Sequence, residues 1–339
     1  MKHIFLIFPI ILIVAACGAT EPAASGEPEV REISMRLQWF PQYQFAGYIV
    51  AKTQGYYEDA GLDVTLNPGG PDMVPLPLVA GGSDQFGSTG ADTVLIARER
   101  DIEVLALATW FQASPVGFMV HADSGISGPE DFAGRTVGMF YGDNVETEYR
   151  ALLAAAGVDR DAINEVPGDF NLRPFLTRQV DVWPVYVTDQ PNQARRQGAE
   201  VELIVARDYD VQLMGDVLFT TAAFARENPN TVQAFVEATL RGWEYALANP
   251  SETVAIIAEY NPELNLEQLQ FEAEATIPLI QYGAGERCPG WNEMAAWQGQ
   301  RALLRDLGLL ESEVDLDAAI ENRYVEQYYD ARGIECGGG

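Results

Sequence analysis

The 339 residues carry 50 Asp and Glu against 21 Lys and Arg, a formal charge of −29, and 47% of them are hydrophobic. So acidic a surface repels phosphate backbones, and no basic stripe with interleaved aromatics interrupts it, which excludes nucleic acid as a partner. The apolar fraction supports one large domain or two of medium size.

Residues 1–16, MKHIFLIFPIILIVAA, place one Lys before a short apolar run and read as a secretory signal peptide. Val14-Ala15-Ala16-Cys17 resembles a bacterial lipobox, so Cys17 is expected to become the lipidated first residue; an ordinary signal peptide that contains a cysteine is the alternative. Residues 17–32, rich in Ala, Pro, Ser, Gly and Glu, have too little apolar surface to bury and read as a tether. No later stretch is long and apolar enough to be expected to cross a bilayer.

Ile33–Phe40 is expected to form a buried first strand, ended by Pro41 because proline has no N–H to donate. Trp39, Gln42, Tyr43 and Gln44 then sit in a polar, aromatic loop. Phe45, Tyr48, Ile49 and Tyr56 recur at helical spacing, and an extended run follows over residues 62–66. Strand, loop and helix N-terminus in that order make a standard site for a small molecule. Gln85–Gly87 reads as a strand end and Ala91–Arg98 as a helix carrying Asp92. Ser88 and Thr89 are placed near that helix N-terminus, where their hydroxyls serve a ligand or cap the helix.

Glu103–Trp110 and Val116–Val120 are continuous apolar strands, with Trp110 and Gln112 at the junction between them. Joined so closely in a chain that otherwise alternates strand and helix, they mark a crossing from one lobe to another. A second α/β unit begins near Ser127. Its strand Thr136–Met139 leads into a loop with Tyr141 and Asn144, then a helix with Val145, Tyr149, Leu152 and Leu153 on one side. Asp169 and Asn171 follow another strand, with Arg173 just beyond; Val180–Val187 contains Trp183 and Tyr186, and Asp189 starts the next helix. Val217–Thr220 is the expected return crossing, and from Val232 to Leu247 the chain is helical with Trp243 in the core.

Catalytic signatures are sparse. His121 is the one histidine beyond the leader, no GxSxG elbow accompanies it, and a structural or hinge role is the simpler reading. No HExxH, EF-hand or CxxC motif points to a metal, GxGxxG and Walker spacings are absent, and carboxylates are too common for any pair to indicate glycoside hydrolysis. In an oxidising setting Cys288 and Cys336 either pair or stay as separate thiols.

The run LQWFPQYQFAGYIVAKTQGYYEDAGLDV, residues 37–64, resembles the opening of the NMT1/THI5-like substrate-binding proteins, the group that includes riboflavin and thiamine-pyrimidine uptake. GPEDFAGRTVG, residues 128–138, is similar to a turn found in type 2 periplasmic binding proteins. The resemblance implies an α/β, two-lobed type 2 periplasmic-binding fold with a cleft between the lobes: residues 33–120 and 217–339 in the first lobe, 121–216 in the second. It also implies a monomer that binds a small molecule without a cofactor and meets an ABC permease at the membrane. The loop residues named above are aromatic, amide, hydroxyl and acidic, and lack the Lys or Arg an anion attracts, so a neutral flat ligand is expected between aromatic faces. Within the family that favours riboflavin, with a thiamine-precursor pyrimidine as runner-up. The family's pyrimidine synthases carry a cysteine-rich segment and an active-site histidine that this chain lacks; a secreted enzyme on the same fold is the remaining alternative.

Overall fold

The computed structural model describes residues 26–169 and 171–337. The signal peptide and Cys17 therefore lie outside the described residues. Among the described residues ten strands form two sheets: β1 Glu32–Arg36, β2 Asp63–Asn67, β3 Phe86–Thr89, β4 Val104–Phe111, β5 Val116–His121, β6 Thr136–Met139, β7 Asn164–Pro167, β8 Val182–Tyr186, β9 Val201–Ile204 and β10 Gly215–Thr221. Their orders are β2-β1-β3-β10-β4 and β7-β6-β8-β5-β9. In each sheet the fourth strand runs antiparallel to both neighbours, and it arrives from across the molecule: β5 follows β4 directly, and β10 follows β9. The chain thus crosses twice between two α/β lobes, the arrangement of a two-lobed periplasmic-binding fold.

Burial differs from strand to strand. On β1 and β2 only alternate residues are buried, Ile33 and Met35, then Val64 and Leu66. Strands β4 and β5, covered on both faces, are apolar nearly throughout. Beside the first sheet, helix Ala46–Thr53 crosses helix Pro229–Ala248 at backbone contact. A Cβ on Gly242 would lie 2.0 Å from the Gly47 oxygen, and one on Gly47 would lie 2.3 Å from the Trp243 ring. Trp243 is fully buried there, as its helical spacing predicts.

Three expectations need correction. The first strand ends at Arg36, well before Pro41: Leu37 still donates its N–H to Asn67 (2.9 Å), but Gly69 then donates to Trp39 (3.0 Å), so the 68–71 loop draws the chain off the sheet. Strand β5, assigned to the first lobe up to Val120, pairs with β8 and β9 and belongs to the second sheet. The strand read as ending at Gly87 runs on through Ser88 and Thr89, and the helix starts at Ala91, as expected, with Gly90 at its N-cap, so neither hydroxyl caps it.

Cys288 and Cys336 are disulfide-bonded, with Cα atoms 6.0 Å apart, which pins the C-terminal tail to the loop before Trp291. No helix among the described residues is long and apolar enough to span a membrane.

Candidate ligand-binding cleft

The carboxyl ends of β1 and β3 face those of β6 and β8 across a cleft of about 460 Å³. Its position is the one open α/β sheets offer, because loops that leave parallel strands at one end converge there. The first lobe contributes Gln38, Trp39, Gln42, Gln44 and Thr89; the second contributes Tyr141, Asn144, Trp183, Tyr186 and Asp189.

The loop after β1 divides its side chains by direction. Tyr43 and Phe45 turn into the core, while Gln42 and Gln44 turn to the cleft and are held by a relay. Gln42 Nε2 donates to Gln44 Oε1 (3.0 Å), and Gln44 Nε2 donates to Asp216 Oδ1 (2.9 Å). A carboxylate only accepts, so Asp216 dictates which end of each amide faces which neighbour. Burial pushes the Asp216 carboxyl up to about 7, and the Gln44 hydrogen bond opposes it.

In the second lobe β8 pairs with β6 at Val182 alone. Beyond that point Pro184, lacking an N–H, needs no partner on that side, and the strands splay to open the cleft wall. Trp183 packs over Gly138, where a Cβ would come within 2.6 Å of its ring. Phe140 meets Trp183 edge to face, centroids 5.9 Å apart. Both rings line the cleft, with Trp39 on the opposite lobe.

Bonds also cross between the lobes. Gln38 Nε2 donates to the Tyr186 phenol oxygen (3.1 Å), which also accepts from Asn144 Nδ2 (2.9 Å). Asp189 accepts from Gln190 (2.7 Å), Gln193 (2.6 Å) and, from the first lobe, Gln268 (2.9 Å). Three amide donors make Asp189 a junction between lobes more than a free acceptor. Burial nevertheless raises its carboxyl to about 6.

Several residues expected at the ligand lie elsewhere. Tyr43 is fully buried and its hydroxyl donates to the Ala246 carbonyl (3.2 Å). Trp110 is core, its indole N–H bonded to the Tyr48 hydroxyl (2.6 Å) and its ring 5.6 Å from Trp243. Gln112 gives its amide hydrogens to the Thr109 and Trp291 carbonyls, behind the crossing. Ser88 is buried one residue short of the cleft, since alternate strand residues face opposite ways and only Thr89 reaches it. Asp92 accepts from the Thr93 N–H on its own helix (2.8 Å) and from the Thr147 hydroxyl of the second lobe. Asp169 caps an exposed turn by accepting from the Asn171 N–H (3.0 Å), and Asn171 in turn accepts from that of Arg173, all outside the cleft. His121 stacks on Phe175, centroids 4.2 Å apart, inside the second lobe.

The sequence reading missed Gln38, Phe140 and Asp143, as well as Gly70, Pro71, Val74 and Pro75, which form one wall of the mouth. The Pro-Gly-Gly-Pro turn was the available signal for that wall, because its glycines allow close approach to the loop after β1. No Lys or Arg lines the cleft among the described residues.

The model of the family described as NMT1/THI5 like matches residues 42–253. This chain belongs to that family. It is 26% identical to the riboflavin-binding protein RibY of Chloroflexus aurantiacus, over 93% of this chain and 95% of the other. It is 25% identical to a formylaminopyrimidine-binding protein of Halalkalibacterium halodurans, over 85% and 90%. A 4-amino-5-hydroxymethyl-2-methylpyrimidine phosphate synthase of Legionella pneumophila is 21% identical over 90% and 96%. Among solved structures, the periplasmic sulfonate-binding protein SsuA of Methylobacillus flagellatus superposes with a TM-score of 0.71 at 15% identity, covering 90% of this chain and 96% of that one, which shows a shared fold.

Proposed function

We propose that this NMT1/THI5-like protein is the extracytoplasmic substrate-binding component of an ABC importer and that its ligand is riboflavin. The observation that carries the reading is the cleft itself: aromatic walls on both lobes, amides, hydroxyls and carboxylates between them, and no Lys or Arg in its lining among the described residues. Such a lining suits an uncharged flat heterocycle, with stacking on each ring contributing roughly 0.5–1.5 kcal/mol beyond area burial. The relative named as riboflavin-binding, matched over nearly the full length of both chains, supports the same ligand. The relative that binds formylaminopyrimidine favours the second reading, a smaller pyrimidine held by part of the same cleft.

The protein works by capture and closure. The bonds from Gln38 to Tyr186 and from Gln268 to Asp189 join the lobes beside the ligand space, and closing them forms the face a permease reads. Cys17, when lipidated, holds the protein to the membrane as a monomer. A synthase activity has no support in the cleft, because His121, held between the Phe175 ring and carbonyl, does not face it.

Titration of riboflavin with the purified protein, followed by flavin fluorescence quenching, tests the assignment. Saturation at micromolar concentration or below, equivalent to about 8 kcal/mol or more, is expected. No saturable quenching, with formylaminopyrimidine binding measured by calorimetry, moves the assignment to the pyrimidine.

A further inference from the structure

Hydrogen-bond accounting across the cleft leaves a specific pattern open. The side-chain oxygens of Gln38 and Asn144 are buried and have no partner, although both residues line the cleft. Each has turned its amide nitrogen toward the same acceptor, the Tyr186 phenol oxygen, at 3.1 and 2.9 Å. With both lone pairs of that oxygen engaged, its own O–H has no acceptor among the described residues. Desolvation, then the charges of Asp216 and Asp143, keep that proton on the phenol. Three polar groups thus converge with one donor between two acceptors, and Gln38 comes from the first lobe while Tyr186 and Asn144 come from the second.

A buried carbonyl without a donor is unfavourable, and a hydroxyl that enters the cleft is a group that can supply the hydrogen. The acceptor, donor, acceptor order matters for which part of a ligand can do this. The pyrimidinedione edge of a flavin presents carbonyl, N–H, carbonyl, and would set oxygen against oxygen. Hydroxyl groups along a flexible chain both donate and accept, and each turns to suit its neighbour.

We infer that Gln38, Tyr186 and Asn144 form a clasp across the two lobes that reads the hydroxylated chain of the ligand, two carbonyls accepting from hydroxyls and the phenol donating to a third. This rests on the riboflavin reading and extends it: the ring system lies against Trp39, Phe140 and Trp183, and the polyol chain is what draws the lobes together. Because the clasp is completed by groups from both lobes, a ligand without hydroxyls stacks in the cleft without rewarding closure.

The probe is lumiflavin, which keeps the flavin ring and carries a methyl group in place of the polyol chain. Quenching titrations compare riboflavin and lumiflavin on the full chain, on Gln38→Met and on Asn144→Leu, and small-angle scattering follows the radius of gyration with each ligand. Riboflavin is expected to bind the unaltered protein at least about tenfold more tightly than lumiflavin, since lumiflavin leaves buried acceptors unpaired. Each substitution is expected to cut that preference several-fold by weakening riboflavin alone, and only riboflavin is expected to compact the protein. Equal affinity of the unaltered protein for the two flavins overturns the clasp while leaving flavin binding in place, as does a substitution that weakens both equally. Binding of neither flavin removes the functional reading and the clasp together.

Discussion

Glu272 offers a demanding test of the physical picture, because it is a carboxyl group held between lobes with no cation beside it among the described residues. It is 2% exposed on helix Leu266–Ile280. Its Oε2 accepts the Tyr43 N–H (3.0 Å) and its Oε1 accepts from Gln268 Nε2 (3.2 Å). The same Gln268 nitrogen donates to Asp189 of the second lobe (2.9 Å), so two carboxyl groups from opposite lobes share one amide. Burial, then the Asp189 charge, raise Glu272 from an ordinary 4.5 to about 8; the Tyr43 and Gln268 hydrogen bonds oppose the rise. A carboxyl whose value is raised by folding binds more protons in the folded than in the unfolded state, so stability is fullest below pH 4.5 and is lost as pH rises through 8. At 1.36 kcal/mol for each tenfold change in proton affinity, the loss reaches about 5 kcal/mol by pH 9 as an upper figure. Asp189, raised to about 6 by burial, adds in the same direction over the lower part of the range.

Glu272→Gln removes the charge and keeps an oxygen for the Tyr43 N–H. Guanidinium melts followed by tryptophan fluorescence at pH 5, 7 and 9 are expected to show similar midpoints for the two proteins at pH 5. The curves then separate upward in pH, the variant falling less steeply and standing several kcal/mol above the parent at pH 9, on the order of the linkage figure. Parallel curves, or a variant weaker at every pH, would refute the reasoning, because they would mean that the buried charge is compensated by something the geometry does not contain.

Three more outcomes follow from the same coordinates. Gly138→Ala places a methyl 2.6 Å from the Trp183 ring and forces the indole into the cleft; riboflavin quenching is expected to weaken by about tenfold while the melt shifts modestly. Cys336→Ser frees the tail from Cys288 and is expected to lower stability by about 2–4 kcal/mol in guanidinium melts, with flavin affinity nearly unchanged because the bridge lies away from the cleft. Flavin mononucleotide, which adds a phosphate, is expected to bind at least about tenfold more weakly than riboflavin in the same titration, since Asp143 and Asp189 line the cleft and no Lys or Arg among the described residues does; equal affinity would contradict the electrostatic reading.

Much of this architecture was legible locally. The unbroken apolar run of β4, followed within a few residues by that of β5, announced the crossing between lobes, and the three- and four-residue spacing from Val232 to Leu247 placed Trp243 in the core. Such signals are carried by neighbours in sequence, whose side-chain directions repeat with the period of the element. Acidic composition and a loop of amides and aromatic rings after the first strand were equally readable, and they constrain the ligand's charge.

What the chain order could not reveal was which residues of a loop face inward. Tyr43 and Gln44 are adjacent, yet one hydrogen-bonds to Ala246 in the core and the other reaches Asp216 behind the cleft. Trp39 follows β1 in its loop and Trp110 lies near the end of β4, but Trp110 falls where Tyr48 and Trp243 close over it, and only Trp39 is left at the cleft. Gln38 showed no distinguishing feature until the two sheets set it opposite Tyr186, 148 positions along the chain. Periodicity belongs to single elements and is written in consecutive residues, whereas the cleft exists only where loops from separate strands converge. That convergence is decided by the order in which the strands pair, and by the two crossings that carry β5 and β10 into the sheet of the other half.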